Sequence, residues 1–365
     1  MDSVSAATVP SIVAALDGQT TFGDMTTPWA FGRFPTCSRS KNAVAGVALV
    51  AGWNFWQSDC GHFGAFFQYV APTGNKPDPR FIFNPVVGNG KHHELGGGIS
   101  AHYDLWNNDC DQSLTAYLDG YVVTMLSNTQ LRSFDFTGKG CLSRYMLLEE
   151  VTPATGTPTA YTGSLINGIN FATRYARVKV SVKGDATLRF VYSNGGFNFG
   201  FGYNVYGQSK ESLYLTCKVV NDCEGNPLID PALGYAFKGC ANLYSNGVTI
   251  APPLTQSNAT ITECGTNDVP AKLIQNPTST VASADSSNCS TTCSGAASNT
   301  LSNGVLNLNS GEAPKQFTNK GFATLDYTWA ECDYAPYLGI GAEAEGGSKF
   351  SLNQWGVWIK GGIQF

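Results

Sequence analysis

The chain has 365 residues, a net charge of −5 and an isoelectric point near 5.4, so a nucleic-acid partner has no electrostatic support. Charged residues make up only 13% of it, about half the usual soluble share of roughly 25%. Yet no apolar run reaches the ~18 residues of a membrane-spanning helix; the longest, Ala43 to Trp53, is interrupted by Gly46 and Gly52. Low charge without a helical span is what a β-barrel wall produces, since its lipid-facing residues alternate with small and polar ones. Aromatic content of 12% excludes a disordered chain, the Ser/Thr/Asn-rich stretch at 278–304 aside.

Residues 1–42 show little periodicity and read as an N-terminal extension. Met1 runs straight into Asp2-Ser3-Val4-Ser5-Ala6-Ala7 with no signal peptide. An exported protein needs a leader, so the expectation is that one is missing from this numbering: either the mature form is shown or Met1 was added for expression. Alternation begins with Ala45, Val47, Leu49, Ala51, Trp53 and Phe55 on one face. A return strand carries Phe63, Ala65, Phe67 and Tyr69, which is a hairpin signal. A Pro/Gly-rich connection covers 72–91. A second hairpin places Leu95, Ile99, Ala101, Tyr103 and Leu105 opposite Glu94, Gly96, Gly98, Ser100, His102 and Asp104, then returns through Leu114 to Val122.

Segment 143–149 reads as a short strand and 150–170 as a Thr/Pro/Gly loop. Between 172 and 206, Val178, Val180 and Val182 alternate with Arg177, Lys179, Ser181 and Lys183. Leu188, Phe190 and Tyr192 alternate with Arg189. Phe197, Phe199, Phe201, Tyr203 and Val205 then interleave with Asn198, Gly200, Gly202 and Asn204. Five large apolar residues facing Asn and Gly are hard to place in a soluble sheet. From 208 to 317 the periodicity weakens to one or two strands near 234–250 inside a long loop region. It recovers at Ala323–Trp329 and at Leu338–Glu345. In the last thirteen residues, Asn353 to Phe365, one face carries Trp355, Val357, Ile359, Ile363 and Phe365. The fold expected is all-β: a transmembrane antiparallel up-and-down barrel over 43–365, with about twelve strands (range 12–16) and long disulfide-bearing loops.

The ending Gly-Ile-Gln-Phe365, with its aromatic face, resembles the C-terminal signal read by the assembly machinery of Gram-negative outer membranes. Together with the eleven cysteines and long polar loops, it resembles the cysteine-containing porins typified by the chlamydial major outer membrane protein. That resemblance implies a trimeric or disulfide-linked porin that stiffens the envelope. It is a likeness of kind, carried by no residue-level motif, so it transfers no site.

The cysteines show no paired C-x-x-C spacing, which excludes zinc-ribbon and thioredoxin readings. Cys289 with Cys293 and Cys217 with Cys223 are the candidate local disulfides, fitting an oxidising periplasm or surface. Alternation places Arg177, Lys179, Lys183 and Arg189 on a lumen face as a basic ladder. Glu94, Asp104, Asp326, Glu343 and Glu345 supply acidic lumen residues, an arrangement that would tune ion selectivity. His92, Glu94 and His102 share a strand face, but about 33 Å separates its ends, too far for one metal. Asn107, Asp109 and Asp111 lack the Gly and distal Glu of a calcium loop. Four histidines and no Gly-x-Ser-x-Gly give no catalytic constellation. The expected function is an outer-membrane porin for small hydrophilic solutes and ions, with outer-membrane lipid as surroundings and no cofactor or metal. The alternative is a structural or adhesive surface barrel, cross-linked or loop-stiffened by disulfides, whose pore is incidental or plugged.

Overall fold

The computed structural model describes residues 11–21, 25–108, 112–151, 161–216, 218–222, 225, 227–230, 233–237, 244–245, 248–249, 273–274, 305–329 and 335–364. Alternating apolar and small or polar residues give long strands, and these join into one ten-stranded sheet. Its first four strands are β1 (Val47–Ser58), β2 (Gly61–Ala71), β3 (Glu94–Asn108) and β4 (Gln112–Ser133). Next come β5 (Thr173–Asn194), β6 (Phe197–Gln208) and the short β7 (Glu211–Leu215). β8 (Gln316–Thr328), β9 (Ala335–Gly347) and β10 (Gln354–Gln364) complete it.

The order is a meander, β1-β2-β3-β4-β5-β6-β8-β9-β10, and every pairing is antiparallel. Among the described residues no pairing joins β1 to β10, so the sheet has two free edges. Ten strands stand where about twelve were expected. Among its described residues, region 208–317 gives the large sheet β7 and the first residues of β8; β7 pairs with Ala176–Val180 of β5, while β6 pairs with Lys183–Asn194.

Tight turns link β1 to β2 and β5 to β6 at one end, and the pairing of Ala335 with Gln364 places the end of β10 there too. At the other end, β4 and β5 run on to 22 residues each and support a second, conventional core. Phe134, Phe136, Leu148, Ile166, Phe171, Val178, Leu213, Tyr235 and Leu306 are buried together. A four-stranded sheet of Leu147–Val151, Tyr161–Asn167, Gly234–Phe237 and Leu273–Ile274 belongs to this cap. So does the buried five-residue helix Gly168–Ala172. Half of the expected 150–170 loop is thus ordered strand and helix. Its apolar residues are too few per segment to show a period.

Part of the N-terminal extension is bound into the same cap. The Trp29 indole donates to Asn167 Oδ1 at 3.0 Å, the Ala30 amide donates to Asn170 Oδ1 at 2.7 Å, and the Tyr145 hydroxyl donates to Gly32 O at 2.8 Å. Arg144 closes the cap's polar side through its Nε, 2.8 Å from Asp135 Oδ1. Burial would push the Asp135 carboxyl up, but the hydrogen bonds and charge of Arg144 outweigh it and hold the carboxyl below its ordinary value.

Because that carboxyl is harder to protonate folded than unfolded, its contribution is full at neutral pH. It disappears as pH falls through and below the usual carboxylate range. Asp135→Asn should therefore loosen the cap by about 1.5–3 kcal/mol at pH 7, with the difference from wild type vanishing in strong acid. Amide exchange of the 134–172 segment, followed against pH, measures this directly.

Candidate functional site

The two faces of the ten-stranded sheet differ in chemistry. On the outer face Trp53, Phe63, Phe67, Leu188, Phe197, Phe199, Phe201, Leu338, Ile340, Trp355, Val357, Ile359 and Ile363 are all exposed. Phe365 of the expected assembly signal lies outside the described residues. Cross-strand register groups these residues into rows, such as Trp56, Phe63, Ala101, Leu118, Leu188, Tyr203, Gly321, Ala344 and Trp355.

The inner face is polar by the same register. One row crosses all nine long strands as Gln57, His62, His102, Tyr117, Arg189, Gly202, Phe322, Glu343 and Gly356. The next reads Asn54, Gly64, Ser100, Asp119, Thr187, Asn204, Lys320, Glu345 and Gln354. Hydrogen bonds run along these rows: Ser100 Oγ donates to Asp119 at 2.7 Å, Asn204 Nδ2 to Asp185 and Thr187 at 2.8 Å, and Gln354 Nε2 to Glu345 at 2.6 Å.

Charge on this face is paired locally. Asp326 and Lys360 stand on β8 and β10 with Gly339 of β9 between them in register. Two strand spacings are about 9.6 Å, and the missing side chain at Gly339 lets the two groups meet over it at 3.0 Å. Lys320 and Glu343 lie 3.5 Å apart. Lys183 reaches from β5 to Glu94 on β3 at 3.1 Å, and Asn89 Nδ2 donates to the same carboxylate at 2.9 Å. Asp104 accepts from the Thr115 hydroxyl at 2.6 Å. Arg132 and Glu211 form a further pair at 2.9 Å beside the cap.

The expected four-residue basic ladder is divided. Lys183 and Arg189 lie on the inner face, opposite Val123 and Tyr117. Between Val123 and Met125 the register slips by one residue, so that Met125 pairs with Val180. A slip of one residue exchanges the faces. Below it Val178 and Val180 turn inward and are buried beneath the cap, while Arg177 and Lys179 turn outward and are exposed. The acidic residues Glu94, Asp326 and Glu343 each hold a lysine from a nearby strand of the same sheet: Lys183, Lys360 and Lys320.

The histidines separate in the same way. His92 is buried near the cap, bonded to Leu126 O at 2.7 Å and Gln130 Nε2 at 3.0 Å, and His93 lies 2.7 Å from the Tyr69 hydroxyl. His102 is instead the register partner of His62. Asp109, Asp111 and the disulfide candidates Cys217, Cys223, Cys289 and Cys293 lie outside the described residues. Cys37, Cys60 and Cys141 are exposed and form no disulfide among the described residues. Lys320, Lys360, Arg132 and Glu211 escaped sequence reasoning, because only the register shows which acid each base can reach.

A Cβ added at Gly339 would sit 1.7 Å from Asp326 Oδ1, whereas one at Gly321 on the outer face would meet nothing within 4 Å. Gly339→Ala should therefore cost about 1–3 kcal/mol through displacement of the ion pair and Gly321→Ala close to nothing, as read by urea unfolding of the purified protein. Comparison with protein-family models, curated proteins and solved structures finds no match to this chain.

Proposed function

We propose that the sheet is the wall of an outer-membrane β-barrel and that the protein is a porin, passing small hydrophilic solutes and ions through a water-filled lumen. The observation that carries this reading is the exposed apolar face, continuous across nine strands and backed by paired charges. In water such a face would far exceed the few hundred Å² a soluble monomer exposes. Facing lipid, it is the low-energy arrangement. Strands such as β2, at 11 residues, span about 36 Å. Tilted at about 45°, they match an apolar band about 25 Å tall.

The inner face supports water as its partner. Arg189 Nε, Thr324 Oγ1 and Asp326 Oδ1 are shielded and have no hydrogen-bond partner among the described residues, and buried polar atoms of this kind are ordinarily satisfied by water. Nine long strands leave β1 and β10 pointing the same way. Closure in the bilayer then joins those edges in parallel or admits one more strand. In outer-membrane barrels the short turns face the periplasm, which puts the cap on the cell surface.

The cap favours the second reading, a structural or adhesive surface barrel with a plugged pore. Its core lies against the inward-facing Val178 of the β4/β5 extension, so it is placed to obstruct one mouth.

Reconstitution into a planar bilayer separates the two. Discrete ohmic steps are expected of the porin; silence from folded, inserted protein would make the plugged surface barrel the better account. Independently, Phe201→Arg, in the apolar face, should make insertion less favourable by about 2–4 kcal/mol if that position sits near the bilayer midplane. Folding yield into vesicles against urea concentration reads that loss.

A further inference from the structure

We propose that His62 and His102 form a two-imidazole site for a borderline divalent metal ion such as Cu²⁺, on the water-facing side of the sheet. The two residues are direct register partners on β2 and β3, and opposed side chains on an antiparallel pair start only about 4.5–5.5 Å apart at Cβ. Their ring centroids lie 4.4 Å apart, with the planes at 66°. The Nδ1 atoms face each other in direct contact. Both nitrogens thus point at one place between the strands, and the rings need to part only slightly to admit a metal at ~2.0–2.1 Å from each.

The surroundings hold that geometry. The Tyr117 ring stacks on His102 at 5.9 Å and 25°, fixing its plane. Gln57 of β1 is the register partner of His62 on the other side. Asp104, two residues from His102 on the same face, is oriented by the Thr115 hydroxyl and keeps lone pairs free for a metal-bound water. Both rings are partly exposed, so an ion arrives without any rearrangement of the wall.

The donor type selects the metal. Imidazole nitrogens suit Cu²⁺, Ni²⁺ and Zn²⁺, whereas Ca²⁺ and Mg²⁺ require oxygen ligands. Among the described residues no group of three or more His, Cys, Asp or Glu converges. The protein therefore supplies two ligands and water the rest, which makes an exchangeable site rather than a structural one. The inference concerns the folded wall alone and stands whether or not the protein conducts.

The test is titration of the folded full-length protein in detergent with Cu²⁺, after the thiols are blocked with N-ethylmaleimide. Electron paramagnetic resonance should show one equivalent bound with the hyperfine pattern of two imidazole nitrogens. His62→Ala and His102→Gln should each lose that pattern, while His93→Ala should retain it; circular dichroism confirms that all three are folded. A wild-type protein that binds no Cu²⁺ through two nitrogens would overturn the proposal. Retention of the pattern in both the His62 and His102 variants would do the same.

Discussion

The two-residue period of an extended chain is the constraint on which the rest of this protein depends. In a strand every side chain must take one of two faces, and backbone pairing locks that assignment across all neighbours. One face here has become apolar and the other polar over nine strands, and neither can change locally without reversing a whole segment. The ion pairs follow from the same lock. Asp326 and Lys360 meet because Gly339 holds the register position between them, and Lys183 finds Glu94 because β4 keeps both on one side. Such pairs owe more to the frame than the frame owes to them.

Where the lock slips, the chemistry changes. Past Val123 the β4/β5 ladder shifts twice, and the valines of β5 exchange an outer position for the core of the cap. Arg177 and Lys179 become an exposed basic fringe at the point where the sheet ceases to be a two-sided wall.

Much of the wall was legible in the sequence. The runs 197–203 and 355–359 carry large apolar residues at every second position, and Phe197, Phe199, Phe201, Tyr203, Trp355, Val357 and Ile359 are exposed. The cap was not legible, because its core draws single residues from distant segments, Phe134, Phe171, Leu213 and Leu306 among them, and none carries a period. Nor was the slip near residue 181: Val178, Val180 and Val182 alternate evenly with polar neighbours whether or not a bulge intervenes. The pairing of His62 with His102 was hidden for a related reason. Forty residues separate them, and only the register of β2 on β3 makes them neighbours.

The cap's construction has a bearing on the entropy of closing the chain. Several strands of the wall pair with a neighbour joined to them by a tight turn, which keeps loop entropy small, although β6 reaches β8 across the whole of 209–315. The cap cannot be built that way. It joins Trp29 and Gly32 to residues 145–170, and Phe134 and Phe136 to Leu306, contacts that close loops far longer than a hairpin's. The cap therefore carries a larger loop-closure cost than a hairpin of the wall, and it gathers the strands between its pieces onto one core.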